Sequence, residues 1–107
     1  MTEIVVNADG NERLIAIAVG DSLRIELPEN PGAGFRWRIE PSSLGGVSAL
    51  RLQSVDHQTE GREADGGRRV FRFSAEAPGQ ATLRLELAPV WEGEAARERF
   101  VITVDVR

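Results

Sequence analysis

No cysteine, tyrosine or lysine occurs in the 107 residues, and histidine occurs once, as His57. These absences exclude disulfides, thiolate nucleophiles, Schiff-base lysines and any metal site built on cysteine. A catalytic dyad would have to draw on His57 or on carboxylates, which leaves an enzyme as a remote third reading. No cofactor is called for. Aromatic residues are also scarce, at four Phe and two Trp. No stretch approaches the roughly 20 apolar residues that cross a bilayer. The opening residues, Met1-Thr2-Glu3-Ile4-Val5-Val6, have neither the basic n-region nor the long apolar h-region of an export signal. The cytoplasm is the expected location by default, with the periplasm or the exterior if a signal has been removed. All 13 basic residues are arginine, dispersed singly apart from Arg68-Arg69, and 17 acids outweigh them for a net charge of −4. That balance supplies no basic face for nucleic acid and no cationic run for an anionic membrane.

What the chain does have is period-2 alternation. Leu23, Ile25 and Leu27 alternate with Arg24 and Glu26, and Phe35, Trp37 and Ile39 alternate with Arg36 and Arg38. Leu83, Leu85 and Leu87 follow the same rule, as do Phe100, Ile102, Val104 and Val106. Shorter versions occur at Phe71 and Phe73 and at Leu50 and Leu52. Each is the pattern of a strand with one face buried and one face wet. Strands are therefore expected near residues 3–19 (one strand, or split in two), 22–27, 35–40, 49–56, 68–76, 80–88 and 97–106. No window carries a helical stripe, although 42–49 has room for a short helical turn. Asp9-Gly10 suits a tight turn with positive φ. Pro78-Gly79 suits a type II turn, and Gly45-Gly46 marks a further loop. Seven or eight short strands in about 100 residues predict an all-β, immunoglobulin-like sandwich, without the usual disulfide, as one domain over 1–107 and a monomer.

Successive connections in such a sandwich alternate between its two ends. The longer connections 28–34, 57–67 and 89–96 then share one end, while the short Ala77-Pro78-Gly79 lies at the other. Loop length concentrated at one end presents a surface there. Within it, His57 reads as a solvated side chain, Arg68-Arg69 as a charged strand start, and Glu60, Glu63 and Asp65 as a solvated acidic loop whose spacing fits no EF-hand. Ser42-Ser43 reads as turn or cap chemistry.

The first of these connections reads Asn30-Pro31-Gly32-Ala33-Gly34-Phe35 and is followed by Arg36-Trp37. The second ends Ala64-Asp65-Gly66-Gly67, and the third contains Pro89-Val90-Trp91-Glu92. In order and spacing, over essentially the full length, this resembles the chagasin family of inhibitors of papain-like cysteine peptidases. That family carries an Asn-Pro-Thr-Thr-Gly-aromatic loop with a Trp two residues on, a Gly-x-Gly-Gly loop and an Arg-Pro-Trp loop. Gly32-Ala33 stand where the family usually has Thr-Thr, Ala64 replaces the first Gly, and Pro89-Val90 replace Arg-Pro.

The resemblance implies reversible inhibition by a wedge. The loop at Asn30, Pro31, Gly32, Ala33, Gly34 and Phe35 would enter the peptidase cleft over the catalytic cysteine. Asp65, Gly66 and Gly67, with Pro89, Val90 and Trp91, would grip its flanks. Such a device needs a stiff, narrow tip rather than a reactive group. Pro31 restricts the backbone, Gly34 permits a left-handed return into the strand, and Asn30 can bond neighbouring backbone. Trp91 is the expected binding anchor and Trp37 an expected core residue, with Phe35 as core or loop support. The alternative is a non-inhibitory immunoglobulin-like module that uses the same end to bind another protein or a carbohydrate.

Overall fold

The computed structural model describes residues 2–29, 34–40, 49–58, 67–89 and 97–107. These contain β1 (Glu3–Val6), β2 (Leu14–Ile17), β3 (Ser22–Pro28), β4 (Phe35–Ile39), β5 (Leu50–Gln58), β6 (Arg68–Ala75), β7 (Gly79–Pro89) and β8 (Glu98–Val106), with one 3-10 turn at Ala8–Gly10. Two four-stranded sheets result, ordered β1-β3-β6-β5 and β2-β8-β7-β4. This is the expected immunoglobulin-like sandwich. The opening stretch is split: β1 runs parallel to β3 in one sheet and β2 runs parallel to β8 in the other.

The alternating rows become the two inner faces. Leu23, Ile25 and Leu27 of β3 and Phe71 and Phe73 of β6 meet Leu83 and Leu85 of β7 and Phe100, Ile102 and Val104 of β8, all essentially without exposure. Full burial of each such side chain is worth about 1.5–3 kcal/mol. With no disulfide available, this core holds the sheets together.

Two turns differ from expectation. Positive φ falls on Glu12 (65°), not on Gly10. Asp9-Gly10 instead belongs to the 3-10 turn, where Gly10 is needed because a Cβ there would collide with Val6 Cγ1. Gly79 does adopt a glycine-favoured φ, but at 149° it is far more open than the roughly +80° of a type II turn. The candidate helical turn and Gly45-Gly46 fall largely in 41–48, outside the described residues.

Strand β5 carries the irregularity that matters for the site. Leu50 and Leu52 stand opposite Ala75 and Phe73, but the register shifts between Leu52 and Ser54. Beyond this bulge Val55 and His57, not Ser54 and Asp56, stand opposite the inward-facing Phe71 and Arg69. One extra residue reverses which face each later side chain occupies.

The pairings also fix the ends. Pro28 and Gln58 both lie opposite Arg68, and Phe35 lies opposite Pro89. The last residue of β3, the last of β5 and the first of β6 therefore lie together in one sheet, as do the first residue of β4 and the last of β7 in the other. Only five residues, 29–33, separate Gly34 from Pro28, so both groups belong to the same end of the sandwich.

Candidate functional site

The inner row of β3 runs Leu23, Ile25, Leu27, and continuing the alternation by one step places Glu29 inside. The inner row of β6, read backward through Phe73 and Phe71, places Arg69 inside in the same way. The structure shows this pair. Glu29 is buried, its side chain only 1% exposed, and Arg69 grips it through Nε (3.0 Å) and Nη2 (2.6 Å) to Oε2. A carboxylate can be buried at this depth because a guanidinium fork and further donors replace its water. The other oxygen, Oε1, accepts the backbone N–H of Trp37 at 2.6 Å. Strand β4 is an edge strand, so that N–H would otherwise lack a strand neighbour.

His57 completes the cluster. Its Nε2 lies 3.1 Å from the carbonyl oxygen of Glu29 and 3.8 Å from Oε2. A carbonyl only accepts, so Nε2 carries the proton and donates. His57 is therefore not the solvated side chain expected, because the β5 bulge turns it inward to a side-chain exposure of 18%. Arg69 likewise is more than a charged strand start. Its partner Arg68 does lie on the outer face, 3.4 Å from Glu26. Alternation through Glu29 and Arg69 was a readable signal for this buried pair, whereas nothing in the sequence marks the bulge.

Around the cluster stand the roots of the three connections. Gly34 enters β4 with φ 80°, the left-handed conformation expected of it. Gly67 has φ 78°, and its carbonyl accepts the N–H of Glu29 at 3.2 Å, which links the root of the first connection to that of the second. Phe35 is half-buried at the start of β4, with the Arg97 guanidinium 5.0 Å above its ring, a cation–π distance. Pro89 is buried opposite Phe35, and Arg97 N donates to Leu87 O at 2.7 Å. The Trp37 indole packs in the core, as expected, and its Nε1 donates to Pro28 O at 2.8 Å.

The structure thus brings Gly34, Phe35, Gly67 and Pro89 to one end. Asn30, Pro31, Gly32, Ala33, Asp65, Gly66, Val90 and Trp91 lie outside the described residues. Among the described residues no group of three or more acidic or imidazole side chains is placed to hold a metal ion. The Glu29 cluster has no reaction chemistry either. Its carboxylate is engaged by the Arg69 guanidinium and the Trp37 backbone N–H, while the His57 imidazole is held on the Glu29 backbone carbonyl. What the arrangement offers is a hydrogen-bonded platform at which three connections are rooted.

Comparison with known proteins agrees with this architecture. The chagasin family peptidase inhibitor model (I42) matches residues 16–104. Amoebiasin-1 of Entamoeba histolytica is 26% identical over 99 residues, covering 92% of this chain and 95% of that protein. Among solved structures, the cysteine protease inhibitor EhICP2 from Entamoeba histolytica has a TM-score of 0.80 at 19% identity, covering 99% of this chain and 96% of that one. PbICP-C, solved in complex with falcipain-2, has a TM-score of 0.65 at 16% identity, covering 97% and 99%. At these identities the two structures speak for the fold, while the family match spans most of the sequence. The chain belongs to the chagasin family of peptidase inhibitors.

Proposed function

We propose that this protein is a reversible inhibitor of papain-like cysteine peptidases, and that it blocks the active-site cleft with residues 30–35, 65–67 and 89–91. The observation that carries this reading is the convergence of Gly34-Phe35, Gly67 and Pro89 on one end of the sandwich, where Glu29 ties Gly67 and strand β4 together, in a chain of an inhibitor family. The similar PbICP-C is bound to falcipain-2, so this fold does engage a partner of that kind. The whole chain, 1–107, acts as one inhibitor domain.

Occlusion asks for no covalent chemistry. Inhibition follows from excluding substrate, so its strength depends on shape, on anchors and on how little the loops must be ordered on binding. Gly32 and Ala33 let the main chain approach closely but forgo the hydroxyl contacts of a Thr-Thr pair, each worth about 0.5–1.5 kcal/mol net. Titration against papain and a cathepsin L-like enzyme tests the proposal. Loss of peptidase activity at stoichiometric or near-micromolar protein is expected, with full recovery on dilution. Unimpaired peptidase at micromolar protein overturns it.

A further inference from the structure

We propose that Glu29 is a positioning residue of the inhibitory end: it fixes the roots of the 30–33 and 59–66 connections relative to each other. This deepens the inhibitor reading and rests on it.

Four partners converge on this one residue, from different parts of the fold. Its N–H bonds Gly67 O at the entry to β6, and its carbonyl receives His57 near the end of β5. Its carboxylate holds Arg69 on β6 and the Trp37 N–H on β4. Strands β5 and β6 belong to one sheet and β4 to the other. The side chain therefore ties across the sandwich at the point where the chain leaves β3 and, after residues 30–34, returns as β4. The Trp37 indole reinforces the same closure through Pro28 O. A carboxylate is suited to this place because it offers acceptors only, and both the arginine fork and an edge-strand N–H require acceptors. Without it, only the indole bond to Pro28 O would hold Trp37 near the end of β3, and the separation between Glu29 and Trp37, the two roots of the connection, would be less closely set. A binding-competent arrangement populated only one time in ten weakens apparent affinity about tenfold.

The test compares three variants in inhibition of papain and in amide hydrogen exchange. Glu29→Ala removes the tie. Glu29→Gln keeps the length and an acceptor oxygen for the Trp37 N–H but replaces the other acceptor, which Arg69 uses, by an NH2 donor. Leu83→Ala lowers stability from the core, four residues along β7 from the Leu87 that stands opposite Trp37. The expected result is an inhibition constant raised about tenfold or more for Glu29→Ala, by a smaller factor of about threefold to fivefold for Glu29→Gln, and unchanged for Leu83→Ala at a temperature where all are folded. The amide at position 29, whose bond to Gly67 the substitution does not itself delete, should exchange faster in Glu29→Ala while the Ile25 amide does not. If Glu29→Ala fails to fold, Glu29→Asp, which keeps the charge but shortens the reach, carries the test with a rise of about fivefold. Wild-type inhibition in the Glu29 variant, or a rise no greater than that of Leu83→Ala, overturns the proposal. If the wild-type protein does not inhibit at all, the inhibitor reading falls, and the exchange at position 29 decides the positioning role alone.

Discussion

The proposed inhibitor uses its two tryptophans in opposite ways. Trp37 is 5% exposed, packs in the core cluster, and satisfies its indole N–H on Pro28 O. Trp37→Ala should cost about 3–5 kcal/mol in urea unfolding, the range for deleting a buried aromatic. A loss below 1 kcal/mol would mean that the indole is not part of the core. Trp91 follows Pro89-Val90 and carries the family's third motif. Trp91→Ala should raise the inhibition constant by about 30-fold, equivalent to about 2 kcal/mol for an interface anchor, and leave the melting temperature within a few degrees. An unchanged constant would show that the third connection does not bind. Phe35 stands between these cases: the neighbouring Arg97 covers its ring, so its contribution is to the root of the loop as much as to any partner.

Individual elements are held by bonds that sequence patterns do not display. At the end opposite the site, Asp21 closes the turn before β3 by accepting the N–H of Ala18 at 2.9 Å and that of Thr2 at 3.0 Å. These two donors, Ala18 first, hold its carboxyl below the ordinary aspartate range. A group with a depressed folded pKa stabilises the protein above its unfolded value, near 3.9, and loses that contribution as the pH falls through the folded value. Asp21→Ala should therefore unfold at lower urea than wild type at pH 7, and the gap should close progressively as the pH drops below about 4. A gap that persists undiminished at pH 2 would contradict the carboxylate's role. Strand β5 makes a related point about packing. Its first half obeys the alternation of Leu50 and Leu52, and its second half does not, because the bulge shifts the register. The His57 imidazole reaches Glu29 only because of that shift.

As a whole, the molecule is two sheets clamped by one apolar core, with the roots of three connections at one end and, at the other, the roots of the connection between β4 and β5 together with Pro78-Gly79. In the proposed function the protein covers the entrance to a peptidase cleft and takes no part in its chemistry. A small active-site-directed inhibitor of the peptidase should then compete with the protein for binding, measured by displacement of the labelled protein from papain. Simultaneous binding of both would refute occlusion. The chain's lack of thiols and lysines accords with such a role, because steric exclusion uses no nucleophile.

The sandwich was legible because one-sided burial writes a period of two into the chain: β3, β4, β7 and β8 were readable from their alternating Leu, Ile, Phe and Trp within a residue or two. Strand order then placed Gly34, Phe35, Gly67 and Pro89 at a common end, and motif order pointed to the family. Alternation even reached Glu29 and Arg69, two charges on inner rows, but a charge at the end of a strand has no fixed environment until the opposite sheet is present. Pairing decided that each would be the other's partner, since the donors that make burial of Glu29 tolerable come from β4, β5 and β6 at once. Pairing also decided the inward turn of His57, because a bulge is a relation between two strands and leaves no mark on either alone. Local patterning thus specified the elements and their faces, and contacts distant in sequence specified how the end that carries Gly34, Gly67 and Pro89 is held.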